Sequence, residues 1–125
     1  PFGYGLSYTT FQYGDIVLNT PTMKQNETIT ATIQVTNSGK YDGAEVVQLY
    51  IRDLVGSITR PVRELKGFKK IFLKAGESKT VSFKITADLL RFYDYDLNQV
   101  TEPGEFDIFI GGSSQATKTA RLTLK

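Results

Sequence analysis

From Thr28 to Thr36 the chain alternates without a break, with Ile29, Ala31, Ile33 and Val35 on one side and Thr28, Thr30, Thr32, Gln34 and Thr36 on the other. A period of two sends successive side chains to opposite faces of an extended backbone, so this run predicts a half-buried antiparallel strand. Lys79–Thr86 repeats the pattern with Val81, Phe83 and Ile85 inward, and the tail sets Ala120, Leu122 and Leu124 against Arg121, Thr123 and Lys125. Asn37-Ser-Gly39, Lys74-Ala-Gly76 and Pro103-Gly104 interrupt these runs with residues suited to turns. The pattern predicts seven to eight strands, over 13–19, 28–36, 44–53, 65–73, 79–86, 92–96, 105–111 and 118–124. Residues 86–90 can form a single helical turn, but no stretch has the length or period of a longer helix. Short strands at this spacing predict an all-β Greek-key β-sandwich.

Two of these strands are apolar on both faces. Val47, Leu49 and Ile51 alternate as core residues while Val46 and Tyr50 lie opposite them; Phe106, Ile108 and Ile110 point inward and leave Phe109 outward. If the two strands pair, Val46, Tyr50 and Phe109 form an outer apolar patch. Such a patch is either an interaction site or a surface covered by a loop or terminus of the same domain. The opening segment, Pro1-Phe-Gly-Tyr-Gly-Leu-Ser-Tyr-Thr-Thr-Phe11, does not alternate; it holds four aromatic rings, and its glycines suit an irregular path. We read residues 1–12 as an arm entering from a preceding domain and 13–125 as the sandwich.

At 125 residues the chain is long enough to bury a core without cross-links, and with no cysteine none can form. The missing cysteines do not fix a redox compartment. The opening residues show no leader of basic then apolar residues, although a start at Pro1 leaves the native N-terminus open. No apolar run approaches the ~18 residues that cross a bilayer. A net charge of +2 is too small to argue for nucleic acid. The charge is nonetheless segregated. Residues 60–79 carry Arg60, Arg63, Lys66, Lys69, Lys70, Lys74 and Lys79 against Glu64 and Glu77, whereas 88–107 carry six carboxylates against Arg91. That segregation fits a docking surface or two solvated hairpins of different bias.

Composition removes much of the usual chemistry. With no histidine and no cysteine, a serine–histidine triad and a zinc site built on those ligands are excluded. Gly111-Gly112-Ser-Ser lacks the lysine and following helix of a phosphate loop. Carboxylates remain. Asp94, Asp96 and Asn98, with Glu105 at the twelfth position, match the oxygen spacing of a calcium loop, but Gln99 stands where the sharp turn needs glycine and Pro103-Gly104 interrupts the exit. We read a strand–turn–strand there, bent at Asp96, Leu97 and Asn98, and expect no metal, no cofactor and no catalytic set. Asn26-Glu-Thr28 is a glycosylation sequon to which we assign no role.

The order of motifs carries a resemblance. Pro1-Phe-Gly-Tyr-Gly-Leu-Ser-Tyr-Thr9, then Arg60-Pro61 with Glu64-Leu-Lys-Gly-Phe68 and Gly76-Glu77, then Glu102-Pro-Gly-Glu-Phe106 leading to Ile110-Gly-Gly-Ser-Ser114, resemble the C-terminal domain of glycoside hydrolase family 3 enzymes, the β-glucosidases and β-xylosidases. The match looks most like the bacterial periplasmic β-glucosidases. It implies a fibronectin type III-like sandwich attached after a barrel domain and an α/β domain, in a periplasmic or secreted enzyme. In that family the nucleophile and the acid/base carboxylate belong to the upstream domains, and no position here corresponds to either.

The expected role is therefore non-catalytic bracing of the upstream catalytic domains, with Phe2, Tyr4, Leu6 and Tyr8 of the arm, and Arg60 and Arg63, as docking residues. A carbohydrate-binding module is the alternative, with Tyr50, Tyr93, Tyr95 and Phe109 as stacking rings; the lack of tryptophan weighs against it. A free-standing adhesion or spacer domain is a third reading, opposed by the aromatic arm.

Overall fold

The computed structural model of the chain describes residues 9–54, 63–93, 99–112 and 118–125. Its strands are β1 (Phe11–Tyr13), β2 (Val17–Leu18), β3 (Thr22–Met23), β4 (Thr28–Asn37), β5 (Gly43–Asp53), β6 (Arg63–Leu73), β7 (Ser78–Thr86), β8 (Phe92–Tyr93), β9 (Gln99–Val100), β10 (Gly104–Gly112) and β11 (Lys118–Leu124). A single 3-10 turn, Asp88–Leu90, lies where one helical turn was expected.

Two sheets face each other. In the first, β7 pairs antiparallel with β4 from Thr28↔Thr86 to Thr36↔Ser78. β1 and β2 share the other edge of β4 through Phe11↔Asn37 and Val17↔Thr32. The second sheet runs β3-β11-β10-β5-β6, and β8 and β9 form a small separate ribbon. The alternating runs supply the filling: Ile29, Ala31, Ile33, Val35, Val47, Leu49, Ile51, Val81, Phe83, Ile85, Phe106, Ile108, Ile110, Leu122 and Leu124 are all buried. Each of these side chains larger than alanine contributes about 1.5–3 kcal/mol by leaving water, so this interior is the main source of stability.

The expected strand over 13–19 is divided. β1 ends at Tyr13, Gly14 N–H bonds the Gln34 carbonyl at 2.9 Å, and pairing with β4 resumes only at Val17. The chain then crosses to the second sheet, where β3 lies parallel to β11 through Thr22↔Thr123. One unbroken strand over 13–19 therefore does not form, although its two pieces keep to the same edge of β4.

β6 is an outermost strand, and it contains a bulge. Leu49 faces Gly67 but Tyr50 faces Leu65, so Lys66 is the extra residue. The bulge turns Lys66 toward the interior edge. There its Nζ donates to the Arg91 carbonyl at 2.8 Å and sits 4.5 Å from the centre of the Phe92 ring. After the bulge, Ile71 and Leu73 are buried while Phe68, Lys70 and Phe72 are exposed.

Candidate docking surfaces

The end of the sandwich where the chain enters is built on one side chain. Asn37 is completely buried. Its Oδ1 accepts from Thr9 Oγ1 at 2.7 Å and from Gly39 N–H at 3.0 Å. Its Nδ2 donates to the carbonyls of Tyr41 at 2.8 Å and Leu73 at 3.1 Å. The Asn37 backbone N–H meets the Glu77 carbonyl, and its own carbonyl accepts from Gly76, whose φ of +81° suits glycine. One residue thus ties the incoming chain to the β4–β5 loop and to the β6–β7 turn. Gly39 keeps the approach open: a Cβ there would overlap the Thr9 hydroxyl and come within 2.9 Å of Thr10 N.

Beside this hub lies a buried carboxylate. Glu45, on the inward face of β5, is 8% exposed, and its Oε2 accepts from the Tyr13 hydroxyl at 2.9 Å. Burial pushes the Glu45 carboxyl above its ordinary value, and hydrogen bonds from Tyr13 and the Val46 N–H only partly offset that. Burial and the neighbouring carboxylate likewise push the Tyr13 phenol up. A carboxyl whose folded pKa is raised stabilises the fold fully at low pH and loses that contribution as pH rises through the folded value. Glu45→Gln should therefore match the wild-type unfolding temperature in acid and exceed it progressively as pH rises from the ordinary carboxylate range toward neutral. A thermal melt series across that range checks this; parallel curves for the two proteins would contradict it.

The outer face of β5 and β10 corrects one expectation. Tyr50 and Phe109 do pair, but the patch they form is covered. Phe109 is only 8% exposed. The Arg63 guanidinium lies 4.8 Å from its ring centre and 5.2 Å from that of Tyr50, and Arg52 lies 5.3 Å from Phe109. Asp107 holds the array together, accepting from Arg52 Nη2 and Arg121 Nε, each at 2.8 Å. Burial alone would raise the Asp107 carboxyl, but these two arginines outweigh it and hold it below the usual carboxylate range. Guanidinium groups on aromatic faces cover apolar area while keeping their charge near water. Among the described residues, side chains of the same sheet close this patch rather than leave it an open binding site.

Elsewhere the described surface carries a few large exposed apolar side chains. Phe68 is 66% exposed and Phe72 60%, both outward on β6, and Tyr41 is 65% exposed on the β4–β5 loop. Sequence reasoning missed this ridge because the bulge at Lys66 resets which residues of β6 face out. It also missed Asn37, which reads as a turn residue, since its partners Thr9 and Leu73 lie 28 and 36 positions away.

Of the residues expected to act, Phe2, Tyr4, Leu6, Tyr8, Arg60, Asp94, Tyr95, Asp96 and Asn98 lie outside the described residues, as does the side chain of Tyr93. Arg63 stands at the start of β6 over the two rings. Glu105 is exposed on β10, 3.1 Å from Arg121. Among the described residues no group of three or more acidic side chains is placed to hold a metal. Three surface hollows of about 410–480 Å³ are each lined by at most one acidic side chain.

Comparison with known proteins adds the context. A family model described as fibronectin type III-like domain matches residues 45–114. The chain is 49% identical over 124 residues to a periplasmic β-glucosidase of Salmonella typhimurium, covering 99% of this chain and 16% of that protein. It is 52% identical over 127 residues to a β-xylosidase of Formosa agariphila, covering 100% and 18%. Among solved structures, a β-glucosidase from Erythrobacter marinus superposes with a TM-score of 0.87 at 38% identity, covering all of this chain and 17% of that one. A β-glucosidase from Listeria innocua in complex with glucose gives 0.84 at 38%, covering 99% and 17%. The chain thus spans less than a fifth of the length of these relatives.

Proposed function

The chain belongs to the fibronectin type III-like domain family, and on that premise we propose that it is the non-catalytic C-terminal domain of a glycoside hydrolase family 3 enzyme, a periplasmic or secreted β-glucosidase or β-xylosidase. The observation that carries this reading is identity of 49–52% along the whole chain to enzymes of which it covers only 16–18%. Hydrolysis of terminal β-linked sugars belongs to the preceding domains, and the sandwich braces them.

The domain then divides into an arm over 1–12, whose last residues Phe11 and Gln12 enter the first sheet in β1, and a sandwich over 13–125. Phe2, Tyr4, Leu6 and Tyr8 of the arm, with Arg60 and Arg63, make the docking contacts. The hub at Asn37 supports this division of labour, because it holds Thr9 and so fixes the direction in which the arm leaves the sandwich. Direct glycan binding through Tyr50 and Phe109 is disfavoured, since arginines occupy the ring faces a sugar would need.

Each arm ring that is buried in the contact contributes about 1–3 kcal/mol. Tyr4→Ala with Tyr8→Ala should therefore weaken docking onto the preceding domains by at least about tenfold. A titration of wild-type and doubly substituted chain reads this directly, and equal affinities would remove the arm from the account.

A further inference from the structure

The geometry points to a second contact of the same assembly: the ridge formed by Tyr41, Phe68 and Phe72 is covered by the preceding part of the same polypeptide. This rests on the reading of the chain as the terminal domain of a larger enzyme.

The ridge is contiguous. Phe68 and Phe72 lie four residues apart on one face of β6, about 13 Å along the strand. Across from them on β5, Gln48 pairs with Phe68, Val46 with Lys70, and Ala44 with Phe72. Val46 and Ala44, both half-buried, fill the space beside the two rings. Tyr41 extends the strip from the adjoining loop.

Along β6 after the bulge, Ile71 and Leu73 are buried, Gly67 is half-buried, and Phe68, Lys69, Lys70 and Phe72 are exposed. Lys69 has partners within the sandwich, its ammonium donating to the Ser82 carbonyl and lying over the Phe83 ring. Two rings are left in water, at a cost that burial against another surface would remove.

Two observations identify that surface. More than four-fifths of the relatives' length lies outside this chain, so a large neighbouring body is available in the same polypeptide. That polypeptide also arrives at the right place. Asn37 joins Thr9 to the carbonyls of Tyr41 and Leu73, so the incoming chain reaches the end of the sandwich that carries Tyr41 and Phe72. Lys40, Lys70 and Lys74 stand exposed around the strip, so the surface that fits it presents apolar side chains edged with carboxylates.

Hydroxyl-radical footprinting of this chain alone and of its full parent chain tests the assignment, with labelling read residue by residue. Val17, 60% exposed on the other sheet, serves as the internal reference. Labelling of Tyr41, Phe68 and Phe72 should fall roughly fivefold or more in the parent, as for rings taken into an interface core, while Val17 changes little. Equal labelling in both proteins would overturn the proposal, and so would protection that appears in the isolated chain as its concentration rises, which would make the partner a second copy. Tyr4 and Tyr8 separate the two readings: protected arm tyrosines with an unprotected ridge defeat this contact alone, whereas loss of protection at both defeats the bracing role as well. Phe68→Ser with Phe72→Ser should leave the isolated chain's melting unchanged and lower that of the parent; an unchanged parent would also overturn the proposal.

Discussion

Asn37→Ala is expected to cost about 3 kcal/mol of folding stability, because it strands one buried and three part-buried hydrogen-bonding groups, at about 1–3 kcal/mol for each that water cannot reach. The Leu73 and Tyr41 carbonyls lose their donor, and Gly39 N–H and the Thr9 hydroxyl lose their acceptor. In a domain of this size the unfolding temperature should drop by roughly 10 °C. Asn37→Asp should not rescue the loss: it keeps two acceptors, supplies no donor to the carbonyls, and buries a charge. Chemical denaturation of the three proteins measures the effect, and a loss below about 1 kcal/mol for Asn37→Ala would show that water satisfies these groups as well as the amide does.

Gly112→Ala should be the next most damaging substitution, at about 2 kcal/mol, the middle of the range for forcing extra atoms into a filled interior. A Cβ at this position overlaps the Glu45 carboxylate and comes within 3.1 Å of both Glu45 Cδ and the Tyr13 hydroxyl. Glu45 cannot simply swing away, since it is buried and hydrogen-bonded to Tyr13. The same substitution in a Glu45→Ala background should cost much less. The difference between the two costs is the coupling that a double-mutant cycle isolates. If Gly112→Ala is equally harmful in both backgrounds, the clash with Glu45 is not its cause.

The core was legible in the sequence because strands that face one interior and one solvent layer alternate cleanly. Ile29 to Val35, Val81 to Ile85 and Phe106 to Ile110 all lie buried where their period places them. What was not legible depends on side chains meeting across the fold. Tyr50 and Phe109 read as an exposed patch because nothing local shows that Arg52 and Arg63 will lie on them. Phe68 could not be placed outward without knowing that Lys66 bulges out of register. Asn37 looks like any turn asparagine until the incoming chain and β6 close around it. The arm and the Arg60 loop gave their signal as motifs rather than as periodicity, and so did the family.

The central claim is that this sandwich is held against the catalytic part of its parent enzyme. Cutting the folded parent at a protease site placed just before Pro1, and following the 125-residue piece by size-exclusion chromatography, tests it most directly. The account predicts that the piece stays with the larger part after cleavage and is released by Tyr4→Ala with Tyr8→Ala. Immediate separation, with the larger part keeping its unfolding temperature and activity, would contradict it.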